Sequence, residues 1–521
     1  MNYKSLPSDS KLRLPFREDD SRAWALIACA IFLLRVMPWS MAELWYDEVL
    51  TLQYFAIGGE NSSLGGIFRN YIMANNHFLN SALYWWWVRF LDFSFTEHIL
   101  RWPSLFFGFA SILMVVLHWR RYIGRRLAAI FGLVLAVSPV FSAFAYQVRG
   151  YSLCMFLSTL ALSGILEILF GNHRRGQLWV CLACFLLPLV MPSAALLAPA
   201  LALFLFWQLR VSGKATGKAL ACAVPCLLMT LLSAAYYLHI WEQFRKASES
   251  AGGWESSWLA AGNVILGMSA HLGLLSLPLA AYSLYMLPRL FNPATAHKTT
   301  GLRLLLCCLL PTSAVILLRF GGHAPFPRVF LVFLPAVTLA AAGTCYALPF
   351  LRRQKLTYLA VAVLLSGCVI EQICSRLTTR QVLNGNSPQN LLQQYYRDAT
   401  DNRDAVTFIR SNGMVGEYIF LVNEWDAPSF LFYWQLANFP QQAVFVSNRV
   451  PDQFWLAPQL ANFKLAVLAR NEIEAGNLFR KAGFKGPFHL LNKTQLRGLY
   501  TPGYGNEPPR DLSEYTKNKG R

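Results

Sequence analysis

The sequence has few charged residues and no cysteine in its C-terminal region. Only 14% of its 521 residues are charged, 55% are hydrophobic, and the mean hydropathy is +0.37. This composition excludes a set of ordinary soluble domains and indicates a multi-pass membrane protein. All 11 cysteines precede residue 375, so no disulfide framework is expected beyond that point.

The sequence also lacks a phosphate-binding motif and internal repeats, which narrows the set of possible functions. No Gly-rich phosphate-binding motif follows a strand-like segment, so nucleotide binding has no support. No convincing internal repeat is present, which argues against a transporter built from two repeated halves. Cys181 and Cys184 form a C-x-x-C pair inside an apolar run without partner ligands, and we expect them to pack rather than bind metal.

Basic residues outnumber acidic ones, and their distribution predicts the topology. The chain has 46 Lys and Arg against 27 Asp and Glu, a formal net charge of +19. A nucleic-acid partner is not expected, because the basic residues form short clusters between apolar runs. The positive-inside rule places these clusters and the N-terminal tail (1–22) in the cytoplasm. The clusters are Arg120, Arg121, Arg125 and Arg126; Arg174 and Arg175; Arg210, Lys214 and Lys218; Arg289, Lys298 and Arg303; Arg352, Arg353 and Lys355.

Apolar runs of suitable length predict about 11 transmembrane helices. They lie near 23–41, 100–118, 127–144, 150–170, 178–191, 193–209, 219–238, within 259–288, and at 302–319, 328–347 and 356–373. The first run is too long for a signal peptide and no cleavage pattern follows it, so we interpret it as an anchor. An odd number of spans places the residues after 375 outside the cytoplasm.

The C-terminal region, 376–521, alternates between helical and strand-like segments. This alternation predicts a small α/β domain with a largely parallel sheet. Residues 376–400 are interpreted as a linker and 502–521 as a mobile end. The predicted helices are 404–410, 427–438 and 472–483, and the predicted strands are 417–423, 442–448, 463–469 and 487–491.

The loops on the outer face carry the unusual polar residues. The longest, 42–99, contains an aromatic-rich stretch at 80–91 that is too short to span and is expected to lie in the membrane interface. Further outer segments are 145–151, 239–258 and 321–330. Acidic, His and Arg side chains in these loops can converge into one cavity.

Asp47 and Glu48 lie directly after the first apolar run, among Trp45, Tyr46 and Val49. Carboxylates are costly beside hydrocarbon and often mark a functional site there. The alternative interpretation is a solvated interfacial loop.

Several segments follow the acidic pair in a characteristic order. They are Asn75, Asn76 and His77, then HILRWPSLFFGFASI, YIGRRLAAIFGLVLAVSPVF, YQVRGYSL and FPRVFLVFLPAV. Together with the acidic pair, and over about 23–375, their order resembles the GT-C superfamily of membrane glycosyltransferases, in particular its protein O-mannosyltransferase and lipid A aminoarabinose transferase branch. That branch often has a His-Pro-Pro or Lys-Pro segment where this chain has His77, Phe78 and Leu79. It often has Arg-Tyr where this chain has Arg328 and Val329.

The resemblance implies a polytopic α-helical membrane protein of the bacterial inner membrane with a periplasmic C-terminal α/β domain. It implies inverting transfer of a sugar from a polyprenyl-phosphate carrier to a hydroxyl of a lipid, glycan or protein. Asp47 then matches the catalytic base, with Glu48 as alternate or orienting partner. The residues expected to bind donor phosphate or substrate are His77, Arg149, Tyr151, Arg245, Lys246 and Arg328.

Each of these candidates also has a structural interpretation. Arg149 could snorkel at the end of a span, Arg328 could anchor at the interface, and His77 could be a hydrogen-bonded loop residue. Arg245 and Lys246 could be solvated. We expect Arg101 to tie a loop to a helix, whereas Arg35, inside the first span, needs a partner that the sequence does not identify.

No cofactor is expected, although some GT-C enzymes use a divalent metal. A hard cation needs several oxygen ligands, and loop 42–99 offers one adjacent acidic pair. Two other classes remain open for the whole chain. One is a lipid or sugar transporter or flippase, and the other is a non-catalytic membrane assembly or sensor protein.

Overall fold

The computed structural model describes most of the chain. The described residues are 20–44, 46–58, 62–71, 76–92, 96–250, 255–318, 323–324, 327–347, 366, 402–424, 426–440, 443–446, 464–469, 471–481, 487–493 and 498–502. They form two compact units. The larger unit contains the described residues of 20–42 and 54–366, and the smaller unit contains those of 43–53 and those from 402 onwards.

The larger unit is built from helices. Its α-helices are Asp20–Ser40, Leu64–Arg69, Phe78–Phe90, Glu97–Leu100, Trp102–Leu113, Arg120–Ile123, Arg125–Val137, Pro139–Ala145, Tyr151–Leu169, His173–Val190, Leu197–Val211, Thr216–Ala234, Tyr236–His239, Trp241–Ser250, Ser257–Leu272, Ser276–Met286, Thr300–Leu318 and Leu334–Ala347. Its short 3-10 helices are Pro192–Leu196, Gly273–Leu275, Leu287–Arg289, Pro293–Thr295 and Pro327–Phe333. A π-helical segment lies at Met114–His118, another π-helical segment spans the unit boundary at Leu52–Ile57, and two short strands, Glu255–Ser256 and His323–Ala324, pair antiparallel.

Several helical segments are long and apolar enough to cross a membrane. Five meet this condition: Trp102–Ile123, Tyr151–Leu169, Pro192–Val211, Thr216–His239 and Arg328–Ala347. Two helix pairs bend at a break, by 63° at Arg125–Val137 and Pro139–Ala145, and by 110° at Trp258–Leu272 and Ser276–Arg289. The described residues thus hold up to seven spans. The predicted total of 11 is not confirmed, and the span predicted at 356–373 lies almost entirely outside the described residues.

The two bends are joined by one histidine. Ser138 interrupts the first pair, and its Oγ accepts the N–H of Phe141 (3.1 Å). His271 precedes the break of the second pair, where Gly273 has a φ of +55°, a conformation that favours glycine. The His271 ring nitrogens lie 2.7 Å from Ser138 Oγ and 2.7 Å from Thr338 Oγ1. His271 therefore connects both bent helices to the helix Leu334–Ala347.

The directions of these hydrogen bonds follow from the partners. Thr338 donates its only hydroxyl proton to Leu334 O (2.9 Å), so its Oγ1 accepts from His271 Nε2. In an uncharged ring Nδ1 then accepts the hydroxyl proton of Ser138. Both ring nitrogens are satisfied within the protein, as a polar group among apolar spans requires.

A buried carboxylate fastens the other end of the helix Tyr151–Leu169. Glu167 Oε2 accepts the side-chain N–H of Asn172 (2.6 Å), and Oε1 lies 3.5 Å from His118 Nε2 and 3.6 Å from Arg175 Nε. Glycines let the next helix approach closely, since a Cβ at Gly164 would lie 2.6 Å from Gly176 O. This packing orients the helix whose opposite end carries the candidate residues at 149–151.

The smaller unit contains a five-stranded sheet. Its helices are Tyr46–Thr51, Asn402–Ser411, Ala427–Leu436 and Glu472–Lys481. Its strands, in spatial order, are Val444–Val446, Tyr418–Val422, Lys464–Ala469, Gly498–Pro502 and Phe488–Lys493. Two pairings are parallel and two are antiparallel. The prediction of a largely parallel sheet is therefore wrong, because the final two strands form a hairpin whose second strand lies beside Lys464–Ala469.

Candidate functional site

Three candidate residues meet at the start of two helices of the larger unit. His77 directly precedes the helix Phe78–Phe90, while Arg149 and Gly150 directly precede Tyr151–Leu169. Arg149 Nη2 lies 3.4 Å from His77 Nε2, and the Tyr151 ring meets the imidazole edge to face at 5.7 Å. All three side chains are buried. The structure thus brings His77, Arg149 and Tyr151 together.

The backbone fixes which nitrogen of His77 carries the proton. Gly150 donates its N–H to His77 Nδ1 at 3.1 Å, so Nδ1 holds a lone pair. In the neutral ring the proton is then on Nε2, which faces the Arg149 guanidinium, a group that only donates. The 3.4 Å approach therefore sets two N–H donors side by side. Such a pair suits an acceptor with several oxygens, such as a phosphate.

Arg328 adds positive charge near this pair. It lies half-buried in the first turn of the 3-10 helix Pro327–Phe333. Burial, and then the charges of Arg149 and Arg328, hold the pKa of His77 well below its ordinary value. His77 is therefore uncharged near neutral pH, and the local positive charge comes from the two arginines.

Tyr71 and its aromatic neighbours pack on the same region, and the sequence did not single them out. The Tyr71 ring lies 5.5 Å from Phe78 and 5.3 Å from Phe244. Its backbone N–H donates to Gln243 Oε1 (2.6 Å), which joins loop 42–99 to the helix Trp241–Ser250. Burial raises the pKa of Tyr71, although the nearby charge of Arg149 acts in the opposite direction. Apolar rings of this kind keep water from a charged group.

Arg245 and Lys246 lie on the exposed face of the helix Trp241–Ser250. Arg245 pairs with Glu242 at 3.0 Å, one turn earlier in the helix. An exposed pair of this type contributes little to stability and is screened by salt.

Arg101 and Arg35 have structural partners. Arg101 is fully buried and donates to the carbonyl oxygens of Trp39 (3.1 Å), Ser40 (2.8 Å) and Ala42 (2.5 Å). It therefore caps the C-terminus of Asp20–Ser40, which agrees with a residue that ties a loop to a helix. Arg35 donates from Nε to Ser142 Oγ (3.2 Å), which is a partner that the sequence did not identify.

Asp47 and Glu48 belong to the smaller unit. They lie in the first turn of the helix Tyr46–Thr51, with exposed fractions of 6% and 0%. Thr51 donates its hydroxyl to the backbone oxygen of Asp47 at 3.0 Å. This burial contradicts a solvated loop, and burial of two adjacent carboxylates is costly unless other groups compensate for it.

Asn76 has a structural position beside the candidate residues. Its Nδ2 donates to Ile67 O (3.0 Å) and Asn70 O (2.9 Å), and its Oδ1 accepts from Ser81 (3.0 Å). Asn76 therefore holds the loop that leads into His77. Asn75 lies outside the described residues.

Neither protein-family models nor curated protein sequences give a match to this chain. Solved structures do match. ArnT from Cupriavidus metallidurans bound to undecaprenyl phosphate has a TM-score of 0.54 at 12% identity, over 94% of this chain and 99% of that one. Its apo form has a TM-score of 0.54 at 12% identity, over 92% of this chain and 97% of that one. The Archaeoglobus fulgidus oligosaccharyltransferase in complex with Zn and sulfate has a TM-score of 0.50 at 16% identity, over 88% of this chain and 69% of that one.

These similarities concern the fold. The matched proteins belong to the GT-C superfamily, so the resemblance inferred from the sequence is confirmed at the level of fold. The chain is a helical membrane protein with a small C-terminal sheet.

Proposed function

We propose that the chain is a glycosyltransferase that moves a sugar from a polyprenyl-phosphate carrier to a hydroxyl acceptor. The observation that carries the proposal is the pair of N–H donors on His77 and Arg149, with the charge of Arg328 near them. Two fixed donors of this type match the oxygens of a lipid-linked phosphate. The fold shared with ArnT, whose structure holds undecaprenyl phosphate, supports the same class of donor.

The proposed reaction is a single displacement. A carboxylate base takes the proton of the acceptor hydroxyl while its oxygen attacks the anomeric carbon. The bond from that carbon to the phosphate oxygen breaks on the opposite face, so the configuration inverts. The polyprenyl phosphate leaves with the bonding electron pair, and fixed cations stabilise its growing negative charge.

Asp47 is the proposed base and Glu48 the orienting partner. His77, Arg149 and Arg328 are the proposed donor-phosphate ligands, and Tyr151 supports the His77 ring. Arg245 and Lys246 are proposed to attract the phosphate from the membrane surface, because they are exposed. Their contribution should fall as the salt concentration rises.

The proposed location is the periplasmic face of a bacterial inner membrane. There the donor phosphate remains in the headgroup layer while its prenyl chain stays in the hydrocarbon. The acceptor class covers a cell-envelope glycan, lipid A or a protein hydroxyl. Comparison of envelope glycolipids and glycoproteins from wild-type and deletion strains by mass spectrometry would identify the acceptor.

The test uses purified protein in lipid nanodiscs with a pool of polyprenyl-phosphate sugars. A glycosyltransferase transfers or hydrolyses the sugar, whereas a flippase moves the intact lipid across a vesicle bilayer. A non-catalytic assembly protein does neither. Translocation without cleavage, or neither activity with any sugar in the pool, would refute the proposal.

Donor binding tests the role of Arg149 separately. Arg149→Ala should weaken binding of undecaprenyl phosphate about 10- to 100-fold, because hydrogen bonds to charged groups contribute ~1.5–3 kcal/mol. The matched control is Arg210→Ala, since Arg210 is exposed and donates to Lys214 O in another loop. Equal binding by both variants would remove Arg149 from the proposed phosphate site.

A further inference from the structure

The two residues at 43–44 are held by the C-terminal part of the smaller unit. The backbone of Leu44 is bonded on both sides, because its N–H donates to Tyr433 Oη (2.9 Å) and its carbonyl accepts from Ser429 Oγ (2.9 Å). Ser429 and Tyr433 are four residues apart in the helix Ala427–Leu436, so they project from the same face. Both are buried, and Leu44 has no exposed surface.

Glu43 makes a second attachment to the same part of the chain. Its Oε1 accepts the backbone N–H of Arg403 (2.8 Å) and of Asp404 (3.4 Å), in the first turn of the helix Asn402–Ser411. A carboxylate there satisfies backbone donors and interacts favourably with the positive end of the helix dipole. Glu43 is only 4% exposed, so water screens this interaction weakly.

These attachments lie immediately before the acidic pair. Leu44 is two residues before the helix Tyr46–Thr51, and Asp47 and Glu48 lie in its first turn. A short helix has little stability of its own, so its direction depends on the groups that hold its ends. Hydrogen bonds to both the N–H and the C=O of Leu44 therefore restrict the direction in which the two carboxylates point.

We propose that the smaller unit serves catalysis by holding the Asp47–Glu48 helix in place, with Glu43, Ser429 and Tyr433 as positioning residues. This role rests on the proposed function, because it assigns the base to that helix. It gives the smaller unit a role in the transfer reaction itself. The three residues act through the helix, so they affect the orientation of the base and leave donor binding unchanged.

The first measurement is independent of catalysis. Hydrogen–deuterium exchange of the peptide covering 43–53 should be about thirtyfold faster in Tyr433→Phe/Ser429→Ala, because two hydrogen bonds of ~1 kcal/mol each are lost and every ~1.4 kcal/mol is a factor of ten. The control is Tyr418→Phe/Ser411→Ala in the same unit, where Ser411 bonds Thr407 O and Tyr418 lies in a sheet strand. Unchanged exchange in the first double variant would overturn the proposal.

The second measurement is the transfer rate against donor concentration. The Tyr433→Phe/Ser429→Ala protein should lose about 10- to 100-fold in kcat with its donor KM unchanged, because displacement of a catalytic group by about 1 Å is costly. Ser429→Thr, which keeps the hydroxyl, should restore most of the rate lost in Ser429→Ala. A general defect in folding caused by substitution at this position would lower the amount of active protein in Ser429→Ala and Ser429→Thr alike. Ser429→Thr would then give no rescue.

The outcomes separate the two proposals. A wild-type kcat in the Tyr433→Phe/Ser429→Ala protein overturns the positioning role while the proposed function stands. An equal loss in the Tyr418→Phe/Ser411→Ala control also overturns it, because the effect would then be general to the unit. Absence of transfer by the wild-type protein overturns the proposed function, and the exchange measurement still decides whether the smaller unit holds the segment.

Discussion

Gly150 and His77 are in direct contact across 73 residues of sequence. The amide of Gly150 donates to Nδ1 of His77, and a Cβ at position 150 would overlap that nitrogen and lie 2.9 Å from Val190 Cγ1. The φ of Gly150 is −65°, so any residue could adopt its backbone conformation. It is the position of the His77 ring that excludes a side chain here.

Gly150→Ala should therefore displace the His77 ring and weaken donor binding about tenfold, because overpacking of a buried contact costs ~1–3 kcal/mol. The control is Gly65→Ala, where no described atom outside the glycine's chain neighbours and its own helix backbone lies within 4 Å of the added Cβ. Thermal stability and undecaprenyl phosphate binding would be measured for both. Wild-type binding by Gly150→Ala would show that the position of the ring does not matter for the donor.

Asp47→Asn should lower the transfer rate roughly 10²- to 10⁴-fold, because it keeps the shape of the side chain but removes the proton acceptor. Donor affinity should stay close to that of the wild type, since the phosphate is assigned to His77 and the arginines. Glu48→Gln should have the smaller effect if Glu48 only orients the base. Near-normal turnover in a stably folded Asp47→Asn protein would remove Asp47 from the mechanism.

His77 should make the protein less stable in acid. Its pKa is lowered from 6.5 in the folded state, so below that pH the unfolded chain binds a proton that the folded protein does not. Stability is then lost as the pH falls below 6.5, by up to ~1.4 kcal/mol per pH unit. Thermal unfolding of wild type and His77→Gln between about pH 7.5 and pH 5 would reveal this slope as a difference. The same dependence of the unfolding temperature on pH in both proteins would contradict this prediction.

Transfer should not require a divalent metal. Within the described ranges no group of three or more His, Cys, Asp or Glu side chains could hold one. A hard cation needs several oxygen ligands and loop 42–99 offers one adjacent acidic pair, so we expect activity to survive EDTA. If EDTA abolishes transfer and magnesium or manganese restores it, the prediction is wrong.

The smaller unit should face the periplasm. Ser411 is exposed, and the sequence has no cysteine beyond residue 374 that would react in its place. A Ser411→Cys protein should react with an impermeant maleimide in cells whose outer membrane alone is permeabilised. Labelling that appears only after lysis of the inner membrane would reverse the predicted topology.

Local sequence pattern was sufficient for much of the fold. The apolar run of 463–469 gave the strand Lys464–Ala469, and 404–410 gave the helix Asn402–Ser411 within two residues. The strand Gly498–Pro502 was missed, and with it the antiparallel half of the sheet. Its sequence has a glycine and a proline at its ends, and its strand conformation depends on pairing with two neighbours.

The position of Asp47 and Glu48 directly after the first apolar run identified the acidic pair, but the contacts around the candidate residues depend on distant parts of the chain. His77 and Arg149 were expected at the site because the segments that contain them resemble segments of the GT-C superfamily. Gly150 gave no signal, because its role appears only when the His77 ring lies against it. Tyr433 and Ser429 meet Leu44 across more than 380 residues, and no local pattern carries such a pairing.

The two hydrogen bonds of His271 become possible in a fixed order while the protein is synthesised and inserted into the membrane. Its partners Ser138 and Thr338 leave the ribosome before and after it, and the chain is made from the N-terminus onward. A nascent chain that ends before position 338 lacks the Thr338 hydroxyl, which accepts the Nε2 proton of His271 in the folded protein. The hydrogen bond between His271 Nε2 and Thr338 Oγ1 can therefore form only after the helix Leu334–Ala347 has been synthesised.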